Sequence, residues 1–256
     1  MKILVCIKQV PDMESKFKIA ADGRWYDQAD LAFRMNEYDE YAVEQAVRLK
    51  EQTGGEATVL SIGPERVKET MKKALAMGCD RGVHVADDSI SAKDPMTVAG
   101  IIAEYAKPQN FTCIFSGMQS QDRGSGQVGV LVAEMLGLPC ITTIVDFAYD
   151  GGRYSVKREL EGGVKALVTM EGPAVFTCQL GLNTPRYPTL PNIMKAKKKE
   201  LVSLPVMQLQ KTDNLQETER LYFPEKKSGG LVLEGEVADL ADRLIGILKE
   251  KTAVLA

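Results

Sequence analysis

Short apolar runs alternate with longer amphipathic stretches through the first half of the chain. Residues 2–7 (KILVCI) form a continuous apolar run of strand length. Residues 37–53 place Tyr41, Val43, Ala46, Val47 and Leu49 at helical spacing among charges, until Gly54-Gly55 stops the pattern. Residues 57–62 (ATVLSI) predict a strand, and Gly63-Pro64 turns the chain into a helix from Glu65 to Ala76, closed by Gly78. A short strand at 82–86 follows, then a helix opened by Asp94-Pro95 and running to Ala106. Residues 111–116 (FTCIFS) give another strand, and Gly124 to Leu136 another helix ended by Gly137. Apolar strands joined by helices imply right-handed crossovers and a mostly parallel sheet covered on both faces. The fold class is α/β, a Rossmann-like doubly wound, mostly parallel sheet.

The pattern then changes. Runs at 141–149, 153–160, 164–170 and 174–179 are separated by Gly151-Gly152, Gly162-Gly163 and Gly172-Pro173, which predicts antiparallel hairpins at one edge of the sheet. From Asn183 to Met194, prolines recur at 185, 188 and 191, so this segment is expected to be extended and irregular. It carries Tyr187, Leu190, Ile193 and Met194 and runs into Lys195, Lys197, Lys198 and Lys199. Apolar anchors on a stiff loop beside a cationic cluster predict a docking surface for an acidic partner; the bland alternative is a connector whose apolar residues tuck back onto their own domain. Residues 200–230 are polar with little periodicity, an arm long enough to need a surface to pack on. An amphipathic helix over about 236–250 closes the chain, with Val237, Leu240, Leu244, Ile247 and Leu248 on one face. The organisation read from these signals is an α/β domain over 1–182, a docking loop over 183–199 and a C-terminal arm and helix over 200–256.

Composition narrows the classes. With 256 residues, a net charge of -3 and 45% hydrophobic residues, the chain has no global pull toward nucleic acid. No run approaches the roughly 20 apolar residues of a membrane helix, and the apolar N-terminal run is too short for a signal core, so a cytoplasmic address is expected. Five cysteines, an odd number with no CxxC pair, predict reduced and mostly buried thiols. The single histidine, His84, sits in the run GVHVA and is expected to be structural. Metal sites and catalytic constellations are absent from the pattern.

Ligands of open parallel sheets bind beyond the carboxyl ends of the strands. The richest such segment here is Gln119, Ser120, Gln121, Asp122, Arg123, Gly124, Ser125, Gly126, Gln127, Val128, Gly129 and Val130. Its glycines permit close backbone approach at a helix N-terminus, where N–H groups and the helix dipole favour phosphate, and Arg123 and Ser125 add donors. The bland alternative is a glycine-rich helix cap that binds nothing. Neither a Walker A loop nor a GxGxxG motif after the first strand is present, so an AMP moiety fits better than a full dinucleotide. Asp12, Asp39 and Asp122 lack metal spacing and read as capping, pairing or ribose-binding groups. Chemically this is a binder or carrier, not an enzyme.

Several strings carry a family resemblance: VCIKQVPD at 5–12; Asn36 through Asp39 leading into AVEQA at 42–46; ALAMGCDRG at 74–82; the 119–130 loop; VKRELEGG at 156–163; and PRYPTLPNIMKAKKK at 185–199. Together they make the chain, over essentially its whole length, resemble the beta subunit of electron transfer flavoprotein. The resemblance implies pairing with an alpha subunit that holds most of an FAD. It also implies electron shuttling from acyl-CoA-type dehydrogenases to a quinone reductase or other acceptor, and a structural AMP in this subunit. Carried over, Cys6, Asn36, Glu37, Tyr38, Asp39, Ile62 and the 119–130 loop surround the AMP. Leu190 matches the leucine that the family inserts into a dehydrogenase pocket. The chain departs from the pattern in having Glu37 after Asn36 where the family has proline, and Arg123 in a loop that is usually acidic. Lys165 and Ala166 follow the Gly-Gly turn in place of an acidic or amide residue, and Met13 stands where some relatives have an aromatic. Arg123 opens an alternative, an electron-bifurcating relative holding a second FAD in place of AMP and oxidising NADH. A nucleotide sensor without redox work is a third reading.

Overall fold

The computed structural model describes residues 1–225 and 229–252. The elements in chain order are β1 (Lys2–Cys6), β2 (Gln9–Pro11), β3 (Phe33–Met35), α1 (Glu37–Thr53), β4 (Glu56–Gly63), α2 (Val67–Met77) and β5 (Arg81–Ala86). There follow α3 (Pro95–Ala106), β6 (Cys113–Gly117), α4 (Val128–Leu136), β7 (Cys140–Asp150), β8 (Arg153–Glu159), β9 (Lys165–Glu171), β10 (Ala174–Cys178), α5 (Leu190–Ala196), β11 (Leu201–Pro205) and α6 (Val237–Lys251). The chain divides into a large unit, Met1–Leu221, and a small one from Tyr222 onward.

The large unit is built on one sheet in the order β11-β5-β4-β1-β6-β10-β7-β8-β9. Neighbours are parallel from β11 through β7, and β8 and β9 join antiparallel. Side chains alternate across the pleat: Ile3 and Val5 pack with α1 and α2 on one face, Leu4 with α3 and α4 on the other. This is the doubly wound, Rossmann-like arrangement that the alternating pattern predicts. Because the chain leaves β1 toward β4 and later returns to its other side as β6, the strand order reverses between β1 and β6, opening a crevice at their carboxyl ends.

Three expectations need correcting. The run at 174–179 is not part of an edge hairpin: β10 crosses back to lie between β6 and β7, parallel to both. Its five residues are all buried, as a strand covered on two faces must be, and Phe176 packs on Phe115 and Tyr154 there. The 183–199 loop is not irregular throughout: α5 begins at Leu190, where the Thr189 side chain accepts the Asn192 N–H and Pro191 occupies the first turn, a place that costs no hydrogen bond. The 200–230 stretch is not wholly an external arm. Leu201–Pro205 adds β11 to the sheet beside β5, and the backbone N–H groups of Leu215 and Gln216 donate to Asp94. Residues through Leu221 therefore belong to the large unit, across the boundaries at 182 and 199 that the sequence suggested. The small hairpin of β2 and β3, which gathers in the 12–32 excursion, carried no clear periodic signal.

In the small unit, α6 is amphipathic. Leu240, Ile247 and Leu248 are half-buried, and Val237 and Leu244 are exposed. Among the described residues no helix is long and apolar enough to cross a membrane.

Candidate functional site: a cleft at the strand-order reversal

A cleft enclosing about 860 Å³, its open mouth included, lies at the carboxyl ends of β1, β4 and β6. Leu60, Ile62, Val98 and Ile102 supply apolar lining, and residues 116–120, Arg123 and residues 125–129 supply most of the polar lining. Of the predicted residues, Cys6, Asn36, Asp39, Ile62, Gln119, Ser120, Arg123, Ser125, Gly126, Gln127, Val128 and Gly129 line it. Glu37, Tyr38, Gln121, Asp122, Gly124 and Val130 do not line the cleft. The first four instead bond the wall together, and Val130 is turned outward on α4, 42% exposed.

The loop is moulded by the first turn of α1. Asn36 occupies the N-cap position of α1 but makes no side-chain cap there. Its Nδ2 donates to the Gln119 carbonyl at 2.9 Å and its Oδ1 accepts the Gln121 N–H at 3.0 Å. Glu37 accepts the Gln121 amide at 3.0 Å, and the Tyr38 hydroxyl accepts the Gln119 amide at 3.2 Å. Glu37 thus helps pin the loop. Asp39, buried, accepts the backbone N–H groups of Lys8 and Gly117, tying the ends of β1 and β6 to the helix. Burial pushes its carboxyl up to about 7, against the pull of those two donors. Burial also raises the Cys6 thiol far above its ordinary range, so Cys6 is a wall residue and not a nucleophile.

Phosphate-binding capacity centres on α4. The helix begins at Val128, later than the glycines at 124 and 126 suggested, because both take left-handed backbone angles (φ of 62° each) that end the preceding loop. Its start has no side-chain cap, leaving first-turn N–H groups to be satisfied from the cleft. Gly129 lets this turn lie against the sheet, for a Cβ there would come within 2.6 Å of Thr177 Cγ2 and 2.8 Å of Ser116 Oγ. The Ser116 hydroxyl beside it is buried, lines the cleft and has no hydrogen-bond partner among the described residues, as expected of a group awaiting a ligand.

The cations around the cleft are largely engaged. Lys8 Nζ lies 2.6 Å from Asp122 and 3.2 Å from Ser120; burial lowers its pKa and Asp122 offsets part of that effect. Arg123 donates to the carbonyls of Ser91 and Lys93, and its guanidinium stacks 4.4 Å above the Trp25 ring. Sequence reasoning missed the α3 side of the cleft, Ile90, Lys93, Asp94, Pro95, Val98 and Ile102. The Asp94-Pro95 opening of α3 was the available signal.

Elsewhere, His84 is buried, with its ring nitrogens 2.8 Å from the Gly63 carbonyl and 3.2 Å from Ser203 Oγ, the structural role expected of it. All five cysteines are free thiols, three of them fully buried. Among the described residues no cluster could hold a metal ion. On the 183–199 segment, Tyr187 (91% exposed), Leu190 (79%) and Met194 (60%) stand out, Ile193 less so, and Lys195, Lys197 and Lys198 are exposed. Lys199 differs: its Nζ turns inward to the carbonyls of Leu75 and Cys79 at the end of α2.

Comparison with known proteins agrees with this architecture. A family model described as "Electron transfer flavoprotein domain" matches residues 25–209. The "Electron transfer flavoprotein subunit beta" of Bacillus subtilis is 38% identical over 261 aligned positions that cover all of both chains. The chain belongs to the electron transfer flavoprotein beta-subunit family. The Methylophilus methylotrophus protein of the same name is 37% identical over 98% of each chain. A mitochondrial relative from Arabidopsis thaliana is 38% identical over 95% of this chain and 97% of its own. In this member of the family, then, the cleft lies at the strand-order reversal and the exposed 187–194 stretch stands on the α1–α2 side.

Proposed function

We propose that this subunit pairs with an alpha subunit holding most of an FAD and binds AMP in its own cleft. The heterodimer passes electrons from acyl-CoA-type dehydrogenases to a quinone reductase or other acceptor, docking through Tyr187, Leu190, Ile193 and Met194 with Lys195, Lys197 and Lys198 steering the encounter. The bound FAD supplies the redox chemistry; this chain contributes binding, orientation and docking, and is a carrier subunit, not an enzyme. The apolar face of α6 is a surface suited to the alpha subunit.

The observation that carries AMP over a second FAD is the state of the cations. Arg123, the residue that raised the possibility of a more negative ligand, is committed to the Ser91 and Lys93 carbonyls and to Trp25, and Lys8 to Asp122. The α4 N-terminus and the Ser116 hydroxyl remain for a phosphate, a supply that suits a monophosphate better than a dinucleotide's pyrophosphate. Apolar Leu60, Ile62, Val98 and Ile102 suit an adenine ring.

The test is the choice of donor. An acyl-CoA dehydrogenase with its substrate is expected to reduce the flavin of the heterodimer, and NADH is not. Reduction by NADH alone would replace this reading with the bifurcating one.

A further inference from the structure

We propose that Arg186 is a positioning residue that holds the docking loop in its binding shape before any partner arrives. The inference rests on the docking role given to Leu190 above and concerns what presets it. The Arg186 guanidinium forks over two carboxylates of α1. Nε lies 2.8 Å from Glu44 Oε2, and Nη1 and Nη2 lie 2.6 and 3.0 Å from the two oxygens of Glu51. The Arg186 backbone N–H also donates to Glu44, at 3.1 Å.

Glu44 makes this more than a surface ion pair. Its side chain is 3% exposed, and it also takes Arg48 Nε at 2.6 Å. Burial alone would raise its carboxyl, but Arg186 and Arg48 hold it below the ordinary value. A buried carboxylate tied to two guanidinium groups and a backbone N–H fixes where the loop sits on α1, in a way an exposed ion pair does not.

The rest of the loop is fastened on the same principle. Before Arg186, Asn183 Nδ2 donates to the Tyr41 carbonyl at 3.1 Å and Arg48 Nη2 to the Thr184 carbonyl at 3.2 Å. At the far end, Ala196 is buried and Lys199 is bonded to the end of α2. Between these two feet stand Tyr187, Leu190 and Met194, exposed on a stretch stiffened by three prolines. A loop clamped at both ends with its apolar residues outward has already met its ordering cost, so less is lost when a partner binds.

The test measures KM and kcat of the whole heterodimer with an acyl-CoA dehydrogenase as electron donor, for R186Q, E51Q and L190A. R186Q is expected to raise KM about tenfold, the effect of unfixing a few side chains, with kcat at saturation and bound flavin unchanged. E51Q removes half of the fork without stranding a buried charge, so it keeps the test open if R186Q fails to assemble. It is expected to shift KM the same way by a smaller factor and to speed hydrogen exchange at residues 187–195. A purely structural role would lower melting temperature or flavin content and leave KM alone. If L190A raises KM while R186Q (or, should R186Q not assemble, E51Q) leaves both KM and loop exchange at wild-type values, the latch is wrong and the docking reading stands. If L190A also leaves KM unchanged, the docking reading fails and the latch with it.

Discussion

The carboxylate of Asp39 accepts the backbone N–H of Gly117 at 2.9 Å, joining the first turn of α1 to the end of β6 at the cleft. Its other oxygen takes the Lys8 N–H at 2.7 Å. Burial, the larger influence, raises its pKa from 3.8 to about 7. Folded Asp39 therefore holds its proton more tightly than unfolded Asp39, so between pH 3.8 and about 7 the folded state binds more protons and loses stability as pH rises. The stabilisation is full below that window and gone above it. The melting-temperature lead of wild type over D39N is expected to shrink as pH goes from about 4 to about 7. A lead that is constant or grows across that range contradicts the assignment.

Gly126 and Gly129 are predicted to fail for different reasons. At Gly126 the nearest atom to a new Cβ is the Met118 carbonyl oxygen at 3.8 Å, so G126A meets open space but a strained φ of 62°. It should cost about 1 kcal/mol of stability and leave the α4 position intact. At Gly129 a Cβ would collide with Thr177 and Ser116, so G129A should cost about 2 kcal/mol, displace the first turn of α4 and lower nucleotide content. Denaturant melts together with nucleotide analysis of both variants check the contrast. Equal nucleotide loss would mean the phosphate end is set by the loop and not by the packing of α4.

The parallel half of the fold was legible because its strands are short apolar runs punctuated by glycine and proline, a signal carried by neighbours in sequence. The insertion of β10 was not, since AVFTC reads the same at an edge as in the centre, and only a crossover rather than a hairpin after Gly172-Pro173 distinguishes the two. β11 was hidden in a polar stretch because Ser203 and Pro205 break its apolar run, a composition that an edge strand tolerates. The glycine loop of the site announced itself through residue type. The α3 wall did not, since Val98 and Ile102 are ordinary core-type residues whose place at the cleft follows from topology alone. Arg123 and Lys199 show the reverse difficulty: their charge was visible, and the partners that occupy it were not.

Leu190 is 79% exposed and N-terminal in α5, so truncating it removes little packing. L190A should leave stability within about 0.5 kcal/mol of wild type while slowing electron acceptance from the dehydrogenase. Stopped-flow reduction at varied dehydrogenase concentration measures this, and an unchanged rate would remove Leu190 from the docking surface.

Lys199 should behave as a helix cap and not as a steering charge. K199M removes a cation bonded to the last carbonyls of α2 and should cost about 1 kcal/mol, with little change in the salt dependence of electron transfer. By contrast, K197M and K198M, at exposed positions, should flatten that salt dependence without a stability cost.

The nucleotide content of the purified, denatured heterodimer tests the central claim most directly. One FAD and one AMP per pair is the result predicted from a cleft whose cations are already committed. Two FAD and no AMP would contradict it, and would assign a second flavin to the cleft between Ile62 and Gly129.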